Sequence, residues 1–102
     1  MIRGEEIIVH VDAELEDIVP IFLENRHKDI GAILEALKQN DYESVQTLGH
    51  SMKGAGGGYG FDAITDIGQS LDQAAKATDS EEIRKLLGEL STYLDRVEVV
   101  YE

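Results

Sequence analysis

A single proline, Pro20, interrupts this chain of 102 residues, and that scarcity of backbone breakers constrains the fold more than any other feature. Proline removes a backbone donor and clashes with the preceding turn, so long windows without it leave helices unbroken. Ala, Leu, Glu, Lys and Gln fill those windows, and their summed propensity is helical. Apolar residues recur there at spacings of three, four and seven. Leu23, Ile30, Ile33, Leu34 and Leu37 make one stripe on a helix expected over 20–39, with Glu24, Arg26, Lys28, Glu35 and Lys38 opposite. Val45, Leu48, Met52, Ala55 and Tyr59 make a second over 42–58, and Phe61, Ile64, Ile67, Gly68, Leu71, Ala74 and Ala75 a third over 61–77. The cleanest stripe, Ile83, Leu86, Leu87, Leu90, Leu94 and Val97, predicts a helix over 80–99. Asn40 tolerates a left-handed backbone and Asp41 caps well, so the pair reads as a tight turn; Asp79 with Glu82 resembles a capping box.

The cluster Ile7, Ile8, Val9 and Val11 is β-branched and too short for a helix, which predicts an extended lead-in over 1–11 lying against the helices. Asp12 is read as the cap of a short helix over 12–19, with Pro20 at a kink or in the first turn of the next. The expected fold is all-α: an up-down-up-down antiparallel four-helix bundle with a short extra N-terminal helix, forming a single domain over 1–102.

Composition removes whole classes of function. There is no cysteine, hence no disulfide, thiolate metal site or thiol nucleophile, and a reducing cytoplasmic setting is expected. No apolar run approaches the ~18 residues of a membrane span, and MIRGEEIIVHVD does not read as a signal peptide. Twenty-one acidic residues against nine basic give a net charge of -12. Nucleic acid and anionic membranes are repelled by that charge, so proteins or small solutes are the expected partners. The charge and the lack of an exposed heptad seam favour a monomer.

What breaks the helical pattern lies between Gln46 and Gly60. At about 100° per residue, His50 points away from the stripe of its own helix and into solvent. Lys53, Gly54 and Gly57 share that side, together with Gln46. Gly54, Gly56, Gly57 and Gly58 forgo roughly 3 to 4 kcal/mol of helix stability. A helix end accounts for Gly58 and Gly60; Gly54 calls for close approach of another backbone, which beside an exposed imidazole points to a partner protein. Imidazole is a good nucleophile near neutrality and forms a bond to phosphorus that can be broken again. A lysine one turn away can neutralise the phosphoryl charge. Nothing supplies an ATP cradle or a metal site, so self-phosphorylation is not expected.

The run His50-Ser51-Met52-Lys53-Gly54 followed by Gly60 resembles the H-x-x-K-G-x-x-x-x-x-G signature of histidine-containing phosphotransfer (HPt) domains. Leu48 and Phe61, the segment Pro20-Ile21-Phe22-Leu23-Glu24-Asn25-Arg26, and Gly56-Gly57-Gly58-Tyr59-Gly60-Phe61-Asp62 are also similar to that family. The resemblance implies a phosphorelay intermediate, stoichiometric rather than enzymatic, with His50 as phosphoacceptor, Lys53 steadying the phosphate, and Gly54 making room for the partner, beside Gln46 and Gly57. Receiver domains of response regulators or hybrid histidine kinases would donate and accept, and would supply the magnesium ion; no cofactor is expected on this chain. Many members carry Gln or Glu 22 residues after the histidine, contacting the imidazole. Here that position is Asp72, a shorter acid expected to reach His50 only through water, so an orienting role goes to Asp72 or alternatively to Gln69.

Rival readings are weaker. His10 and His27 lack comparable neighbours and read as solvated or partly packed side chains. The sequence contains no H-E-x-x-H or other paired-histidine zinc spacing. A G-x-G-x-x-A-like match near Gly58 has no strand before it, and Lys53-Gly54 reverses the order found in a P-loop. The alternative from another class is a helical adaptor or inhibitor that binds a receiver or kinase without using His50 chemically.

Overall fold

The computed structural model describes residues 7–102. Four helices dominate: α1 (Val19–Lys38), α2 (Tyr42–Tyr59), α3 (Asp62–Lys76) and α4 (Ser80–Arg96). They are flanked by two short strands, β1 (Ile7–Val11) and β2 (Val97–Tyr101). Consecutive helices touch, and α4 returns to contact α1, so the four close a ring around one apolar core. Phe61, Ile33, Met52, Ile64, Leu71, Ile83, Leu90, Val19 and Val45 are its fully buried side chains. No polar or charged residue is buried among the described residues, so solvation of the charged faces and burial of the stripes both favour this arrangement.

The turns follow from local chemistry. Asn40 takes a left-handed φ of 56°, and the Asp41 N–H donates to the Ala36 carbonyl at 2.8 Å to close α1. Asp41 then caps α2, its carboxylate accepting from the Ser44 N–H at 3.1 Å and the Ser44 hydroxyl at 2.6 Å. Those bonds, the hydroxyl first, hold the Asp41 carboxyl below the usual carboxylate range. Gly60, at φ 85°, ends α2 in the left-handed conformation that a side chain resists. Asp79 caps α4 by accepting from the Glu82 N–H at 3.1 Å. Its own N–H goes to the Ala74 carbonyl, so only half of the expected capping box is made.

Three expectations need correction. The short helix over 12–19 is only a 3-10 turn at Ala13–Leu15 with no buried residue, capped by Asp12. A helix of that length is marginal without tertiary burial, and Pro20 offers no N–H to the Glu16 carbonyl, so the turn cannot run on into α1. Instead α1 starts at Val19, with Pro20 in its first turn. The final helix ends at Arg96 rather than 99, because Val97 turns to extended backbone (ψ 133°). Residues 97–101 are β-branched or aromatic at nearly every position and pair in parallel with β1, Ile7 opposite Val97 through Val11 opposite Tyr101. The lead-in over 1–11 is thus a strand where it is described, at 7–11; residues 1–6 lie outside the described residues. Ile7, Val9, Val97, Val99 and Tyr101 face the core, whereas Ile8, His10, Glu98 and Val100 face outward. Arg26, expected on the solvent side, is the third departure from the helical pattern. Its side chain is largely covered: the guanidinium lies 4.7 Å over the Phe22 ring and its Nε donates to Asp29 at 2.8 Å. Burial nevertheless pushes the Asp29 carboxyl up, against the pull of Arg26.

Candidate functional site

The tightest packing in the molecule is between α2 and α3, and glycine makes it. A Cβ added to Gly49 would stand 2.9 Å from both the Asp72 nitrogen and the Gly68 oxygen. One added to Gly68 would stand 2.6 Å from the Lys53 nitrogen, and one at Gly56 2.8 Å from the Thr65 nitrogen. Two backbones therefore run nearly in contact, and the Thr65 hydroxyl donates across the gap to the Lys53 carbonyl at 3.1 Å. Phe22 holds the far end of α2, with ring centroids 4.7 Å from Tyr59 and 5.4 Å from Phe61.

This approach brings Asp72, on α3, beside His50 on α2. The His50 ring is 77% exposed, and its Nδ1 lies 4.0 Å from Asp72 Oδ2, close enough for charge attraction and too far for a direct hydrogen bond. Asp72 is only 15% exposed and also lies 3.9 Å from Lys76 Nζ through its Oδ1. That oxygen is buried and has no hydrogen-bond partner. An open groove of about 520 Å³ gathers Glu43, Gln46, Thr47, His50, Lys53, Asp72 and Lys76. Lys53 is exposed and makes no ion pair among the described residues. The groove thus offers a solvent-facing imidazole, two ammonium groups and one partly buried carboxylate. Such a set can form a bond from nitrogen to an electrophile, hold an anion beside it, and keep the ring oriented.

The remaining sequence candidates divide. Gln46 lines the groove and is half-buried. Gly54 and Gly57 are exposed just beyond its lining; a Cβ at Gly54 would meet nothing within 4 Å, and one at Gly57 only the Thr65 hydroxyl at 3.6 Å. Gly54 therefore leaves open surface next to Lys53, whereas Gly56 is explained inside the chain, by α3. Gln69 is exposed and lies outside the groove lining. His27 is exposed, and His10 pairs with Glu102 at 2.9 Å on the outer face of the sheet. Among the described residues no three His, Asp or Glu side chains are grouped to hold a metal ion. No helix described is long and apolar enough to cross a membrane. Sequence reasoning missed Lys76, whose signal was its position one turn after Asp72, and Gly49, which carries no side chain and leaves no mark in the apolar pattern.

Comparison with known proteins gives one positive finding. The Hpt domain family matches residues 17–99, from just before α1 to within β2. No curated protein and no solved structure matches the chain.

Proposed function

The chain belongs to the Hpt domain family, whose members carry histidine phosphotransfer in phosphorelays, and from that premise we propose that His50 is the phosphoacceptor of a relay between receiver domains. The observation carrying this reading is the groove itself: a 77% exposed imidazole opening onto the same surface as Lys53 and flanked by the side-chain-free patch at Gly54. In the transfer, the His50 Nε2 lone pair attacks the phosphorus of an aspartyl phosphate. The bond from phosphorus to the aspartate oxygen breaks, and the carboxylate leaves with the electron pair. Nδ1 keeps its proton, so the phosphorylated ring carries a positive charge beside Asp72. Lys53 neutralises the phosphoryl oxygens, Asp72 rather than Gln69 orients the ring, and Gln46, Gly54 and Gly57 belong to the docking surface. The receiver supplies the magnesium ion and the reacting aspartate, which leaves this chain a stoichiometric carrier without kinase activity.

The same reading takes the four helices as an up-down-up-down antiparallel bundle, supported by connections of two or three residues. It assigns a monomer to the cytoplasm. The deciding experiment incubates the protein with phosphorylated receiver domains and magnesium and follows acid-labile phosphate by intact mass and site mapping. Phosphate on His50, absent in His50→Gln, is the expected result. Undiminished labelling of His50→Gln would overturn the site, and receivers that bind without transferring would favour the adaptor reading.

A further inference from the structure

We infer that Lys76 is a second phosphoryl-binding cation, parked on Asp72 in the free protein and released to the phosphoryl group when His50 is charged. The inference rests on His50 being the phosphoacceptor. Asp72 stands between an ammonium and an imidazole, 3.9 Å from Lys76 Nζ and 4.0 Å from His50 Nδ1, and hydrogen-bonds neither. A partly buried carboxylate held this loosely can change partner with a small side-chain movement. Lys76 is 61% exposed and its flexible stem lines the groove that holds His50 and Lys53.

Charge balance gives the direction of the exchange. The charged groups facing the groove are Glu43, His50 and Lys53 on α2 and Asp72 and Lys76 on α3. The ring must attack through a free lone pair, so before transfer the ammonium of Lys76, 3.9 Å away, is the charge partner of Asp72. Afterwards the N–P bond leaves a positive ring whose Nδ1–H faces Asp72, while up to two negative charges sit on the phosphoryl oxygens. The ring then neutralises Asp72, and Lys76 gains more from the phosphoryl dianion than from a carboxylate already paired. Lys53 approaches that dianion from the histidine's own helix and Lys76 from the neighbouring one. In a chain of net charge -12, a dianion facing Glu43 is poorly compensated by Lys53 alone.

The test charges the purified full chain with inorganic phosphoramidate, a small anionic donor that needs no receiver, and follows N-linked phosphate by ³¹P NMR and intact mass. Lys76→Met should slow charging about fivefold, the worth of one charge contact at ~4 Å in a water-like medium. Lys76→Arg should restore most of the rate. The slowing should persist when Asp72→Asn is also present. An unchanged rate in Lys76→Met, or a slowing that vanishes in the Asp72→Asn background, would show that Lys76 only neutralises Asp72 and would overturn the inference. Failure of phosphorylated receivers to charge a protein that phosphoramidate charges normally would instead remove the relay reading and leave this one standing.

Discussion

Replacing Gly68 by alanine tests the close approach of α2 and α3 directly. The new Cβ would lie 2.6 Å from the Lys53 nitrogen, 2.7 Å from the Gly49 oxygen and 3.0 Å from the Lys53 Cα, where ordinary contact begins near 3.4 Å. Every one of those atoms is backbone, so no rotamer change relieves the overlap and the helices must part by several tenths of an ångström. Overpacking of this kind costs about 1–3 kcal/mol. Better helix propensity returns ~1 kcal/mol, leaving a net loss of up to roughly 2 kcal/mol. For a domain near this size each kcal/mol moves the Tm by about 4–8 °C. Gly88→Ala is the control: it too is helical, and its Cβ meets nothing within 4 Å, so stability should rise or stay level. Thermal and urea denaturation of the two variants beside the parent would decide it. A Gly68→Ala protein as stable as Gly88→Ala would refute the idea that glycine is required there, and with it the account of how Asp72 reaches His50.

Other predictions separate stability from docking and charge from capping. Gly54→Ala should raise stability by up to ~1 kcal/mol, because its Cβ enters open space, yet slow phosphoryl transfer from a receiver; equal transfer rates in parent and variant would remove Gly54 from the docking surface. Asp41→Asn keeps a capping oxygen but loses the charge. The Asp41 carboxyl is held below its usual value of 3.8 in the fold, so the parent's advantage should be complete above that value and fade as pH falls through the lowered one. A stability difference that is flat or grows on acidification, measured from pH 7 to 2, would contradict this.

The long amphipathic helices and their turns were legible because each depends on neighbours within four residues: stripes, the left-handed Asn40, the Asp41 and Asp79 caps. His50 and Lys53 were legible for the same reason, being one turn apart on a helix. What escaped the sequence is non-local. Val97 continues the spacing of Leu90 and Leu94, so local periodicity extends α4 through a residue that actually begins β2; its partner Ile7 lies 90 positions earlier and no local rule connects them. Gly49 gives no pattern signal because it contributes no side chain, and Gly68 looked like one more small member of a stripe. Their value emerges only when α3 is laid against α2. Arg26 was misplaced because a charge at an outward position of the helical pattern ordinarily marks solvent, whereas here its stem and guanidinium cover Phe22.

The parallel pairing of β1 with β2 also sets how the bundle bears load. Because both strands run the same way, tension drawing residue 7 and residue 101 apart pulls the strands in opposite directions along their length. The ladder from Ile7–Val97 to Val11–Tyr101, extended by the bonds of Glu102 to Val11 and Ala13, is then loaded in shear. Its hydrogen bonds lie across the pull and share it, rather than opening one after another as in a zipper. Two five-residue strands thereby act as a mechanical clasp on four helices.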